Sequence, residues 1–266
     1  MAHLSINFKS EVLHMPVMLD VIMPQGHGGY KTLYLLHGAG GDHTTWYGKS
    51  RVEDYVDNKN IAVIMPSGNN KFYVNNEHGK DYFTFITDEL PKMCERWFDI
   101  SGRADDRYIA GISMGGYGAL YGALKKPGFY AGAFGISPYL GAGEALKSYE
   151  QGRGKGIGED LYPVFGNCEN YAQKMYDLCD LTHNLGENSG NCVDNFTKFI
   201  ISCGLQDKMV SPQACGKLAD CMKMHGYKAD FISEQGEHNW DYWDMCIRRI
   251  VDIIHKDEIG GSYGSH

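Results

Sequence analysis

The segment "IAGISMGGYGAL" (residues 109–120) decides the fold, because it joins an apolar run to a helix-forming run through a serine. Gly111, Ser113 and Gly115 match the pattern G-x-S-x-G, in which a serine occupies a sharp turn between a strand and a helix. The glycines are required because larger side chains would collide with the neighbouring strand and helix. The pattern alone predicts either a nucleophilic Ser113 or a polar residue in a glycine-rich connection.

Apolar runs alternate with helical patterns on both sides of this segment. The apolar runs predict buried strands at 32–38, 60–68, 106–113, 130–137, 198–204 and 228–236. The helical patterns lie at 85–98, 212–225 and 240–256. This alternation predicts an α/β fold with a mostly parallel, doubly wound sheet covered by helices on both faces. Two segments near the N-terminus, 5–13 and 17–24, predict antiparallel strands at one edge of the sheet.

We expect residues 1–266 to form a single domain with one long insertion. The interval 139–195 is rich in Gly, Asn and Tyr and shows one clear helical stretch, near 169–181. A connection of this length predicts a lid or pocket wall, with a plain surface insertion as the alternative. The Gly- and Ser-containing segment 258–266 predicts a disordered tail.

Composition excludes several classes of partner. The formal net charge is −8 and the basic residues form no long cluster, which argues against nucleic acid or an anionic membrane surface. No apolar run approaches the roughly 18–20 residues that a membrane helix needs, and the N-terminal residues lack the apolar segment of a signal peptide. We therefore expect a cytoplasmic protein. The eight cysteines include no CxxC pair, so no structural zinc site is predicted. We expect no other metal site and no cofactor. The sequence is compatible with a homo-oligomer.

A catalytic serine needs a histidine to accept its proton and a carboxylate to orient that histidine. Asp207 directly follows the apolar run at 198–204, and His238 follows the run at 228–236. Because the carboxyl ends of parallel strands meet at one edge of a sheet, Ser113, Asp207 and His238 are expected to come together.

Other acids and histidines fit the same pattern less well. Asp194, Asp220 and Asp230 lie before a strand, inside a helix and at a strand start. Glu234 and Glu237 lie near His238 and remain alternatives to Asp207. The competing histidines occupy the insertion, a helix end and the C-terminal region, at His183, His225, His255 and His266.

The segment "LLHGAGGDHTTW" (35–46) is the predicted oxyanion loop. Acyl transfer needs two N–H donors for the developing oxyanion, one from the residue after the serine and one from a loop after an early strand. Met114 follows the serine. In the early loop we select Ala39, with Gly40 as the alternative; a turn that needs only flexible glycines is the competing interpretation.

With these residues assigned, the chain resembles the esterase D-type branch of the α/β-hydrolases. The resemblance covers nearly the whole chain and is carried by six segments: 34–46, 62–75, 81–98, 109–124, 203–207 and 236–247. This branch includes S-formylglutathione hydrolases, tributyrin esterases, and acetyl and feruloyl esterases that act on plant polysaccharides. The resemblance implies an α/β-hydrolase fold in which 139–195 forms a cap, a carboxylic ester substrate, and Ser113, Asp207 and His238 as the triad.

The loop Ala39–Asp42 and the aromatic run after His238 favour the tributyrin, acetyl and feruloyl esterase side of this branch over glutathione thioesters. The sequence therefore predicts a metal-independent serine esterase for short-chain acyl esters, including small or oligosaccharide esters from plant polysaccharides. A thioesterase or acyltransferase on the same triad is one alternative, and a non-catalytic binding protein with this fold is another. Substrate-pocket candidates are Trp46, Asn70, Tyr82 and Trp240.

Overall fold

The apolar runs of the sequence pair into one eight-stranded sheet. The computed structural model describes residues 1–26, 28–153, 156–188 and 196–261. The strands are β1 (Ala2–Ser10), β2 (Met15–Met23), β3 (Lys31–Leu36), β4 (Ile61–Pro66), β5 (Arg107–Ile112), β6 (Gly132–Ile136), β7 (Lys198–Gly204) and β8 (Lys228–Glu234). Their order across the sheet is β1-β2-β4-β3-β5-β6-β7-β8.

The first two strands form the antiparallel edge that the sequence predicts. β1 pairs with β2 and β2 with β4 in antiparallel fashion, whereas every pairing from β4 through β8 is parallel. The parallel strands are aligned so that Ile112 of β5 pairs with Ile136 of β6, which in turn pairs with Ser202 of β7. This register brings the carboxyl ends of β5, β6 and β7 to the same edge. The prediction of an α/β-hydrolase architecture with antiparallel N-terminal strands is confirmed.

Helices cover both faces of the sheet. They are α1 (Thr45–Lys49), α2 (Val52–Val56), α3 (Tyr82–Thr84), α4 (Leu90–Trp97), α5 (Met114–Lys125), α6 (Ala142–Glu150), α7 (Gly156–Phe165), α8 (Cys168–Gln173), α9 (Leu178–Asn188), α10 (Pro212–Met224) and α11 (Trp240–Gly261). The side chains of β3 alternate between two apolar layers: Tyr34 and Leu36 pack on one face, Leu33 and Leu35 on the other. Burial on both faces explains why the strands are continuous apolar runs.

Two predicted helices differ in detail from the observed ones. The helix predicted over 85–98 begins earlier, at Tyr82, and passes through a π-helical turn over Phe85–Glu89 before α4. Pro91, in the first turn of α4, has no N–H to continue a regular hydrogen-bond ladder. At the C-terminus α11 continues through Gly261, whereas the sequence predicts a tail from 258. Lys256 and Glu258 are good helix formers and favour continuation of the helix, and residues 262–266 lie outside the described part of the chain.

The segment 139–195 contains four helices in its described part, α6 to α9, where the sequence analysis predicts one. The predicted helix near 169–181 is interrupted between α8 and α9, at Met175, which has a positive φ of 53°. The additional helices are stabilised by packing rather than by local sequence. The ring of Phe165 lies 5.4 Å from Tyr171 and 5.0 Å from Tyr176, and its side chain is fully buried. Phe165 also contacts the ring of Phe72 at 5.2 Å, and such contacts between residues far apart in the chain are invisible to helix-propensity patterns.

Candidate active site

Ser113 occupies the sharp turn between β5 and α5 with φ 51° and ψ −115°, a strained conformation for a residue that has a side chain. Its N–H donates to Ile136 O over 2.9 Å. The flanking glycines are sterically required. A Cβ on Gly111 would lie 2.4 Å from Gly115 O, and a Cβ on Gly115 would lie 2.5 Å from Leu36 O. The G-x-S-x-G pattern therefore reflects close contact between β3, β5 and α5.

Ser113, His238 and Asp207 form one hydrogen-bonded chain. His238 Nε2 lies 3.2 Å from Ser113 Oγ, and His238 Nδ1 lies 2.8 Å from Asp207 Oδ2. With Asp207 ionised, Nδ1–H donates to the carboxylate and Nε2 presents its lone pair to the serine hydroxyl. The Asp207 side chain is fully buried, whereas 12% of the His238 side chain is exposed. This geometry allows the imidazole to accept the proton of the serine hydroxyl.

Asp207 is held as a carboxylate by donors from its own loop. Its Oδ1 accepts hydrogen bonds from Met209 N–H over 2.9 Å and from Val210 N–H over 2.8 Å. Burial by itself raises the pKa of Asp207, but the bonds from Val210 and from His238 outweigh it, so the net pKa lies below its ordinary value. The acid is therefore ionised at neutral pH and able to stabilise a protonated imidazole.

The segment 38–41 lies beside Ser113, and its N–H groups differ in their partners. Gly40 N–H donates to Asn70 Oδ1 over 2.7 Å, and Gly41 N–H donates to Gly38 O over 3.2 Å. Among the described residues, Ala39 N–H has no hydrogen-bond acceptor. Met114 N–H begins α5 and has no intrahelical acceptor. Ala39 and Met114 therefore present N–H groups that are available to a ligand.

Both ring nitrogens of His37 anchor this loop, a role that the sequence analysis missed. His37 Nδ1–H donates to Gly38 O over 2.7 Å, and Nε2 accepts from Gly68 N–H over 2.8 Å. The ring is buried, and this burial lowers the pKa of His37. The position of His37 directly after a buried strand, before Gly38, was the available signal.

A cavity of about 350 Å³ opens beside the serine and the histidine. It is lined by Gly38, Ala39, Gly40, Gly41, Thr45, Lys49, Ile112, Ser113, Met209, His238, Trp240 and Trp243. The Trp243 ring meets the His238 ring edge to face at 4.9 Å, which fixes the plane of the imidazole. All these residues lie outside 139–195, so the lid or pocket-wall role of that segment stays a prediction.

Of the four pocket candidates from sequence, Trp240 lines this cavity. Trp46 is 1% exposed, donates its indole N–H to Leu36 O over 3.0 Å and supports Trp240 edge to face. Tyr82 is buried and its hydroxyl accepts from Asn69 Nδ2 over 2.9 Å. Asn70 is exposed and is not one of the lining residues. Its Oδ1 accepts a hydrogen bond from the N–H of Gly40, which does line the cavity.

The described acids and histidines that compete with Asp207 and His238 contact other residues, are exposed, or lie in another helix. Glu234 pairs with Arg249 at 2.7 Å, and His183 Nδ1 lies 3.0 Å from His225 Nε2. Asp220, Asp230 and Glu237 are exposed. Asp194 and His266 lie outside the described residues, and His255 lies within α11. Asp207 and His238 are the pair placed next to Ser113.

The fold and this edge of the sheet define an α/β-hydrolase. The family model named Esterase ("Putative esterase") matches residues 10–251, so the chain belongs to the Esterase family. An acetyl esterase from Caldicellulosiruptor saccharolyticus is 28% identical, over 96% of this chain and 99% of that protein. The chain is a serine carboxylic ester hydrolase, as the sequence analysis predicts.

Two solved structures from Staphylococcus aureus have the same fold. The fluorophosphonate-binding serine hydrolase F is 27% identical, with a TM-score of 0.82. The S-formylglutathione hydrolase FrmB is also 27% identical, with a TM-score of 0.80. In both comparisons 95% of this chain and 98% of the other chain are covered.

Within the described residues, no helix combines the length and apolar character needed to cross a bilayer.

Proposed function

We propose that Ser113 is the nucleophile of this esterase, His238 its general base and Asp207 the acid that orients the histidine. The observation that carries this proposal is the hydrogen-bonded chain from Ser113 Oγ through His238 to Asp207, with distances of 3.2 Å and 2.8 Å. Proton transfer needs groups within hydrogen-bond reach, and the resting structure supplies both contacts. The N–H groups of Ala39 and Met114 form the oxyanion site in this proposal.

The reaction proceeds in two halves. Ser113 Oγ attacks the ester carbonyl while its proton passes to His238 Nε2, and the carbonyl oxygen becomes an oxyanion that Ala39 and Met114 N–H groups stabilise. The bond to the alcohol then breaks, and the alcohol leaves with the proton from Nε2. A water molecule gives a proton to Nε2 as its oxygen attacks the acyl carbonyl. The bond between the acyl carbon and Ser113 Oγ then breaks, Oγ takes the proton from Nε2, and the carboxylic acid leaves.

Gly40 is the weaker oxyanion donor in this proposal, since its N–H is already bonded to Asn70 Oδ1. Ala39 N–H carries no such bond among the described residues, and its donation to an oxyanion therefore breaks no hydrogen bond to another of these residues. An oxyanion donor typically lowers the barrier by roughly 3 kcal/mol.

For the substrate, we propose short-chain acyl esters, with acetyl or feruloyl esters of plant polysaccharides as the physiological class. The similarity to an acetyl esterase supports a short acyl group. A cavity of about 350 Å³ with two tryptophans accommodates a small acyl group and part of an alcohol or sugar. Thioester hydrolysis on the same residues is the second candidate, supported by the similarity to an S-formylglutathione hydrolase.

The test compares hydrolysis of p-nitrophenyl acetate and butyrate by the wild-type enzyme and Ser113→Ala, together with labelling by a fluorophosphonate probe. We expect the substitution to lower kcat by several orders of magnitude and to abolish labelling. Equal rates for the two proteins would remove Ser113 from the mechanism. A panel of acetylated xylan, methyl ferulate and S-formylglutathione then ranks the proposed substrate classes by kcat/KM.

A further inference from the structure

Among the described residues that line the cavity beside Ser113 and His238, Lys49 is the one whose side chain has a fixed charge. None of the other lining residues is Asp, Glu or Arg. The chain as a whole carries a formal net charge of −8, so the charge of Lys49 is opposite in sign to the net charge of the protein. The carboxylate of Asp207 lies on the far side of the His238 ring, and its oxygens already accept bonds from Met209 N–H, Val210 N–H and His238 Nδ1–H.

Helix α1 places Lys49 in the cavity. Thr45 and Lys49 begin and end the helix four residues apart, which puts them on one helical face, and both line the cavity. Trp46 anchors the helix through its bond to Leu36 O. Lys49 itself is exposed, and within the described part of the chain it makes no ion pair and no side-chain hydrogen bond. Its ammonium group is therefore available to an anion in the cavity.

Two further features of this cavity favour an anion. Ser113 caps the N-terminus of α5, a helix of 12 residues whose dipole favours negative charge at that end. Ala39 lines the cavity and Met114 directly follows the lining residue Ser113, and the N–H groups of both have no acceptor among the described residues. The remaining wall is apolar and aromatic, from Ile112, Met209, Trp240 and Trp243.

We propose that Lys49 is a specificity-determining residue that selects esters carrying a carboxylate or similar anion a few bonds from the scissile carbonyl. The apolar or aromatic body of such a substrate packs against Met209, Trp240 and Trp243 while its anion pairs with the lysine ammonium. This inference rests on the proposed function of Ser113, and it adds the charge of the substrate, which the family assignment does not give.

The experiment measures kcat/KM for two matched pairs of esters that differ in one negative charge. In 4-acetoxybenzoate and its methyl ester the charge lies on the leaving alcohol; in 4-nitrophenyl hydrogen adipate and its methyl ester it lies on the acyl group. We expect the wild-type enzyme to prefer the anionic member of at least one pair. Lys49→Met, which keeps an unbranched apolar stem, should lower the anionic-to-neutral ratio of that pair roughly two- to fivefold, as for an exposed ion pair.

Two other substitutions separate charge from shape. Lys49→Arg keeps the charge and should retain the preference, whereas Lys49→Glu should lower the ratio below that of Lys49→Met. The wild-type ratio should also fall as salt is added, because exposed charges are screened. The matched control is Lys92→Met on α4, an exposed lysine outside the cavity lining, which removes the same charge and should leave the ratio unchanged.

The inference is wrong if wild type and Lys49→Met give the same ratio in both pairs, or if Lys92→Met lowers the ratio as much as Lys49→Met. Either result leaves the esterase proposal intact, provided that Ser113→Ala abolishes hydrolysis of the neutral esters. Retained hydrolysis in Ser113→Ala would instead overturn the proposed function itself.

Discussion

The backbone N–H of Gly68 donates a hydrogen bond to Nε2 of His37 over 2.8 Å, which ties the loop after β4 to the loop after β3. Because Nε2 accepts this bond, the ring proton resides on Nδ1, which donates to Gly38 O over 2.7 Å. The side chain of His37 thus fixes the peptide next to Ala39, the proposed oxyanion donor. Burial lowers the pKa of His37 and keeps the ring in this neutral, loop-binding form.

Replacing His37 with Ala should weaken both stability and catalysis. The substitution leaves the N–H of Gly68 without its acceptor in a buried position, and such an orphaned group costs about 1–3 kcal/mol. The loop that carries Ala39 loses its anchor, so kcat should fall more than KM rises. Urea unfolding and p-nitrophenyl acetate kinetics measure the two effects. An unchanged unfolding midpoint and unchanged kcat would show that the loop holds its position without His37.

Asp207→Asn should lower kcat by about 10²–10⁴-fold while the protein stays folded, because an amide favours the wrong imidazole tautomer and cannot stabilise a charged imidazole. The matched control is Asp230→Asn, an exposed acid on β8, which should keep wild-type kcat. Steady-state kinetics of the two variants provide the comparison. Comparable activity of Asp207→Asn and the wild type would contradict the assigned role of Asp207.

Acid should reduce the stability that ionised Asp207 contributes. The pKa of its carboxyl in the folded protein lies below the ordinary value of 3.8, so the unfolded chain binds a proton first as pH falls. The contribution is present above that ordinary value and is lost as pH falls through the folded pKa. The difference in unfolding free energy between wild type and Asp207→Asn should therefore be greater at pH 6 than at pH 3. A difference that stays constant or grows towards acid would contradict this sign.

Gly115→Ala should destabilise the protein strongly, whereas Gly122→Ala on the same helix should not. A Cβ at Gly115 would lie 2.5 Å from Leu36 O and 2.6 Å from His37 O, which are backbone atoms that cannot move freely. At Gly122 the nearest atoms would be 3.8 Å away, and alanine is favoured over glycine inside a helix by roughly 1 kcal/mol. Thermal or urea unfolding of the pair tests this contrast. Equal stability of the two variants would show that β3 and α5 are less closely packed than described.

Phe165→Ala should cost about 3–5 kcal/mol of unfolding free energy, the usual range for truncating a buried phenylalanine. The ring is fully buried and contacts Phe72 at 5.2 Å, so its loss should loosen the segment 139–195 from the core. Tyr162, on the same helix but 37% exposed, provides the control, and its replacement by Ala should cost far less. A rise in KM for Phe165→Ala, absent in Tyr162→Ala, would support the predicted pocket-wall role of 139–195; equal stabilities would contradict the described packing.

The residues of the candidate triad were predictable from sequence because each follows an apolar run. Ser113, Asp207 and His238 lie within four residues of the ends of β5, β7 and β8, and parallel strands bring those positions to one edge. The strand–helix alternation and the two antiparallel strands near the N-terminus were equally readable, since periodicity and turn residues are local properties.

Other features were decided by the tertiary structure alone. The sequence analysis already selects Ala39 over Gly40, but the physical reason depends on Asn70, 30 residues away, which accepts the N–H of Gly40. The additional helices of 139–195 depend on aromatic packing around Phe165, and the place of Lys49 in the cavity depends on how α1 packs beside Ser113. Local sequence determines which backbone conformations are favourable, whereas these contacts join residues far apart in the chain. These contacts stabilise the protein only once the sheet has brought the partners together.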